Sequence, residues 1–143
     1  MPQLIETSHS NVDLKPSPIQ ASWIIEGNPK ACSHKVSSSN DGSATTMIWS
    51  CTAGTFDWYY DLDETIMILE GSIVLEGDGM PPKRYGVGDV IRFRQGAHAK
   101  WHVESYVKKV AFLSQPSPFA LGLAIRAARK LKRMFTKAIA APA

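Results

Sequence analysis

Residues 56–71 read Phe56-Asp57-Trp58-Tyr59-Tyr60-Asp61-Leu62-Asp63-Glu64-Thr65-Ile66-Met67-Ile68-Leu69-Glu70-Gly71. Two β-prone runs, 56–60 and 64–69, are separated by a polar turn at 61–63 and closed by Glu70-Gly71. The same rhythm continues on both sides. Turn signals recur at Ala53-Gly54, Gly77-Asp78-Gly79, 86–89 and Gln95-Gly96, and the runs between them (45–51, 73–76, 90–94, 99–104, 107–113) are rich in β-branched and aromatic residues. Many short strands with no helical pattern between them predict an antiparallel sandwich or barrel.

Two runs also indicate faces. In 98–104 the even positions are His98, Lys100, His102 and Glu104, and the odd ones are Ala99, Trp101 and Val103. Strand side chains alternate, so Trp101 is expected inside and both histidines outside. The run 64–69 is apolar at almost every position after Glu64, the pattern of a strand covered on both faces. A carboxylate at the start of such a strand is the first candidate for chemistry.

The chain has 143 residues, 44% of them hydrophobic and 20% charged, which suits one core. The first eleven residues lack the apolar run of a secretory signal, and no stretch reaches the roughly 18 apolar residues of a membrane span, so a cytoplasmic protein is expected. Cys32 and Cys51 are then expected to be reduced, with Cys51 in the core. Charge is unevenly placed. Six of the 16 basic residues and none of the 13 acidic ones lie in 116–143, which leaves a net acidic body. Such a body argues against nucleic-acid binding. The predicted organisation is an extended polar arm over 1–22, a barrel over 23–115 and a basic amphipathic helix over 116–143; 37–43 reads as a loop.

The fragments Phe56-Asp57-Trp58-Tyr59-Tyr60, Asp63-Glu64, Ile68-Leu69-Glu70-Gly71, Gly88-Asp89, Gln95-Gly96, Trp101-His102-Val103 and Tyr106-Val107-Lys108-Lys109 occur in an order and spacing similar to the small cupins grouped with the cupin domain of (S)-ureidoglycine aminohydrolase. The resemblance covers about 23–113. It implies an all-β, RmlC-like cupin jelly-roll β-barrel, here followed by a C-terminal α-helix, and frequent homodimers. The general cupin pattern G-x5-H-x-H-x3,4-E-x6-G, then G-x5-P-x-G-x2-H-x3-N, implies three histidines and a glutamate holding a divalent metal. Glu64-x6-Gly71 fits the carboxylate half, and Gly88 and Gly96 fit the second motif. The paired histidine slots fall on Trp58 and Tyr60, or on Asp57 and Tyr59; the third falls on Ala99, and His98 misses it by one residue.

Without imidazole, a tightly held metal is not expected, since histidine supplies most of the affinity in such sites. No cofactor is therefore expected beyond a weakly held divalent ion. What the slots offer is an aromatic-walled pocket for a small-molecule ligand, with Trp58, Tyr60, Phe93 and Trp101 as walls and Glu64 as the acid. Glu64 is either a catalytic acid or base or a structural carboxylate, and each aromatic either a ligand contact or core filling. Lys109 shares an apolar strand face with Val107, Ala111 and Leu113, so it either pairs with a carboxylate or sits at the rim. Pairing with Glu64 would weaken that carboxylate as a base.

At 100° per residue, Leu121, Ala124, Ile125, Ala128, Leu131, Phe135 and Ile139 share one arc of the tail, and every basic residue but Lys132 lies opposite. Such a helix packs on the barrel or a homodimer partner, or it makes a peripheral contact with an anionic membrane.

Overall fold

A computed structural model of the chain describes residues 3–140, with the backbone alone for 119, 120 and 138–140. In chain order the elements are β1 (Lys15–Pro16), a 3-10 turn (Ala21–Trp23), β2 (Ile24–Gly27), β3 (Ala31–Ser38), β4 (Ala44–Tyr59), β5 (Asp63–Gly77), β6 (Met80–Gly86), β7 (Val90–Phe93), β8 (His98–Ser114) and α1 (Phe119–Ala140). The all-β cupin jelly roll with one C-terminal helix is thus the observed fold.

Three long antiparallel strands carry it: β4, β8 and β5, with β8 in the middle. Each bends and belongs to two walls of the barrel. The first half of β4 pairs with β3 and the second half of β8, and its second half pairs with β2 and the first half of β8. Likewise β5 pairs first with β7 and then with β6. Irregularities at Thr52/Gly54, Ile68/Glu70 and Gly71/Val74 mark the corners. A bulge turns a strand without ending it.

That corrects the expected chain of separate short strands, because Ala53-Gly54 and Glu70-Gly71 are corners within continuous strands and not turns between them. Gly71 shows the physical need most directly. Its φ is +72°, and a Cβ there would drive into the carbonyl oxygen of Tyr106 where β5 crosses β8.

Side-chain alternation on β8 holds as expected: Ala99, Trp101 and Val103 are buried, while His102 and Glu104 face solvent. With Cys51, Phe56, Ile66, Ile68, Ile73, Leu75 and Val107 they fill the barrel. The reading of 64–69 as covered on both faces is corrected. Glu64, Ile66 and Ile68 are buried, but Met67 is exposed on the outer face near Val90 and Phe112. Among the described residues no further layer covers that side.

Three further differences concern edges. The polar arm is not wholly unpacked, since Lys15–Pro16 pairs with β3 and Ile19 is buried in the core. β3 extends to Ser38, so the loop is shorter than 37–43; in it the Asp41 carboxylate accepts hydrogen bonds from Ser39 and Ser43, which hold its pKa down at about 2. β6, with Pro81 and Pro82, is an exposed edge strand, which is where proline is tolerated in a sheet. Among the described residues α1 shares no packed interface with any strand.

Candidate functional site

The inward faces of β4, β5 and β8 meet in register. Trp49 lies directly opposite Lys109, Ile68 flanks Lys109 on its other side, and Glu64 lies opposite Leu113. Glu64 and Lys109 are therefore two same-face rungs apart, a span the lysine stem covers. Lys109 Nζ donates to Glu64 Oε2 at 2.8 Å, with both residues buried. The ammonium also stands 4.7 Å from the Trp49 ring centroid and 4.8 Å from that of Trp101, within cation–π range of both. Two opposite charges taken out of water are held by each other and by two aromatic faces.

Above this pair lies a cavity of about 160 Å³. Its walls are Trp49, Trp58, Met47, Ala111 and Leu113, with Ser17 of the arm and Ser33 of β3 at the edge and Glu64 and Lys109 as the charged groups. The volume is close to that of an engineered apolar cavity of about 150 Å³ that accepts benzene. Trp58 is half-buried and meets Trp49 and Trp23 edge-on.

Of the residues expected in the pocket, the structure brings Trp58, Glu64 and Lys109 to this cavity. Tyr60, Phe93 and Trp101 do not line it and form a buried stack: Tyr60 lies on Phe93 with ring centroids 4.2 Å apart, and the Trp101 indole N–H donates to the Tyr60 hydroxyl at 3.1 Å; Tyr60 also lines a neighbouring cleft with Trp58 and Trp23. Those three are core residues with respect to this cavity. Burial pushes the Tyr60 phenol well above its ordinary pKa, and the charge of Glu64 adds to the shift. Phe93 also lines a separate cleft of about 340 Å³ with Leu75, Met80, Ile91 and His98, which contains neither charge of the buried pair.

Trp49, Met47, Ser17 and Ser33 escaped the sequence reading. Alternation within 45–51 already places Met47, Trp49 and Cys51 on one face, so Trp49 was open to the argument used for Trp101. Nothing local marks the serines, which arrive only through strand pairing.

The fold family usually carries a metal where Glu64 lies, and the side chains present do not fit one. The histidine slots hold aromatics and Ala99. His98 binds Asp57 at 2.8 Å and stacks on Tyr59, and His102 binds Thr55 at 2.7 Å. Among the described residues no three His, Cys, Asp or Glu side chains converge. The carboxylate that would anchor a cation already faces an ammonium. Cys51 lies inside and Cys32 on the opposite face of the adjacent strand, because Cys51 pairs with Ala31. Burial pushes the Cys51 thiol up to about 12.

A bent antiparallel barrel with its pocket at the inward ends of three shared strands defines a cupin. The chain belongs to the EutQ-like cupin domain family, whose model matches residues 38–111, just over half of it. No curated protein matches significantly. Among solved structures, a protein of unknown function from Pseudomonas syringae pv. tomato is similar with TM-score 0.68 and 23% identity, covering 74% of this chain and 46% of that one. The chain thus spans less than half of that relative. A putative ethanolamine utilization protein EutQ from Salmonella typhimurium gives TM-score 0.54 and 18% identity, covering 62% of this chain and 72% of that one. The polyketide cyclase RemF from Streptomyces resistomycificus gives 0.59 and 16%, covering 80% and 82%. At these identities the likeness is one of fold.

Proposed function

We propose that the protein is a cytoplasmic, homodimeric cupin that binds a small organic molecule without needing a tightly held metal. The observation that carries this reading is the buried Lys109–Glu64 pair at the foot of an aromatic cavity. An ammonium has three N–H donors, and one is used by Glu64. A ligand about the size of a single ring, resting on Trp58 and Met47 and bearing an acceptor such as a carboxylate, can reach the remaining donor capacity of Lys109. The exposed outer face around Met67, Val90 and Phe112 supports the dimer, since a second copy would cover it.

The second reading is an enzyme akin to ureidoglycine aminohydrolase, in which Glu64 moves a proton with or without a weak divalent ion. It rests on the residue fragments quoted above. Against it stands the geometry of Glu64, one oxygen of which already accepts from Lys109 at 2.8 Å.

A thermal-shift screen with small aromatic and aliphatic acids, and separately with divalent ions, tests the choice. The binder predicts stabilisation of several degrees by an organic acid, quenching of tryptophan fluorescence, and loss of both in Trp58→Ala. A shift produced by divalent ions alone, with turnover of a ureide, would establish the enzyme.

A further inference from the structure

The basic helix is a feature that the barrel pocket does not absorb. α1 holds six cations, with no acid anywhere between 116 and 143. Arg126, Arg129, Lys130, Arg133 and Lys137 fall in one arc, and Leu121, Ile125, Ala128, Leu131 and Phe135 fall in the opposite one, which also holds Lys132. Both arcs face solvent. Leu131 is 66% exposed and Phe135 70%, where a helix seated on the barrel would bury them. Among the described residues none of the six cations has a carboxylate partner.

The chemistry of the two arcs selects the occupant. On the outer apolar face of the barrel Arg92 is already bound to Asp63, and the buried Lys108 lies opposite Glu70. Several of the body's carboxylates are already engaged, by Arg84, Arg92, His98 and Lys109. A nucleic acid would use the cations and leave the leucine side without a role. A bilayer containing anionic lipid meets both arcs at once, with phosphates for the cations and acyl chains for the apolar side. Among the described residues no helix is long and apolar enough to cross a membrane, so α1 would lie along the surface. We propose that α1 is a docking element for an anionic lipid surface, holding the barrel at the membrane.

The test uses the full-length protein and co-sedimentation with vesicles of phosphatidylcholine, alone or with about a third phosphatidylglycerol. Binding is expected only to the anionic vesicles and should fall as salt rises. Arg126→Gln with Arg133→Gln should weaken it roughly 30-fold, at about one kcal/mol per surface charge. Leu131→Glu with Phe135→Glu should abolish it while melting temperature and mass in light scattering stay unchanged. Several results would overturn the proposal. One is indifference to anionic vesicles at low salt; another is binding that survives Leu131→Glu with Phe135→Glu, which would be charge adhesion alone. Tighter binding to duplex DNA or RNA than to vesicles would reassign the cations. A drop in melting temperature or dimer mass for the leucine and phenylalanine variant would place the helix on the barrel or on a second copy.

Discussion

The barrel interior and the C-terminal helix both set cations beside apolar side chains, and they do so with opposite results. Lys109 is buried, meets a carboxylate at 2.8 Å and lies against two indoles. The helix cations have open surroundings, and so do the leucines behind them. In the barrel, neighbouring strands cover the apolar face and a lysine there must find a counter-charge. In the helix nothing within the described chain covers it. An amphipathic pattern therefore states that a partner is needed without saying whether that partner is intramolecular.

The contrast is broken most directly at the buried pair. Lys109→Met or Glu64→Gln leaves one charge in the interior without its counter-charge, and urea unfolding should show a loss of about 3–5 kcal/mol. The double change Glu64→Leu with Lys109→Met should recover most of that loss. A loss under about 1 kcal/mol for either single change would mean that water reaches the pair and that the cavity is open at its foot.

Gly71→Ala comes next. The left-handed backbone and the approach to Tyr106 together predict a cost of about 3 kcal/mol, read as a lowered urea midpoint with unchanged slope. A neutral result would show that the β5 corner can relax. A pH response appears in the alkaline range. Cys51 has a folded pKa of about 12 against an ordinary value of 9.0, and Tyr60 is shifted in the same direction. Folding then favours the protonated forms, so stability is full below pH 9 and declines as pH rises toward 12. Thermal melts across that range should show the decline, and Cys51→Ala should flatten it relative to its own value at pH 7. The same burial predicts that iodoacetamide modifies Cys32 well before Cys51 in the native protein.

Least of all, Leu131→Ala on the helix should move the barrel's stability by no more than about 0.5 kcal/mol. The same truncation at Trp101 should cost about 3–5 kcal/mol. Equal losses at the two positions would mean that the helix is packed after all.

Local pattern was enough for a good part of this. Alternation placed Trp101 inside and His98 and His102 outside, and the apolar register of Lys109 demanded a carboxylate or a rim position. The absence of imidazole in the histidine slots was equally plain. What alternation could not show is where a strand bends. Ala53-Gly54 and Glu70-Gly71 carry turn residues, and glycine serves a bulge as well as it serves a turn, so continuous strands looked like separate ones.

The sequence by itself determined the β-rich barrel, the candidate acid at Glu64, the inward aromatics and the two-sided tail, because these follow from periods of two and 3.6 residues within short windows. Only the tertiary structure decided that Trp49 faces Lys109 across β4 and β8, that Ser17 reaches the cavity from the arm, and that Tyr60, Phe93 and Trp101 stack in the core away from that cavity's lining. Those placements depend on register between strand residues up to 70 positions apart. Register of that kind is set by the packing of the whole core, and no local window contains it.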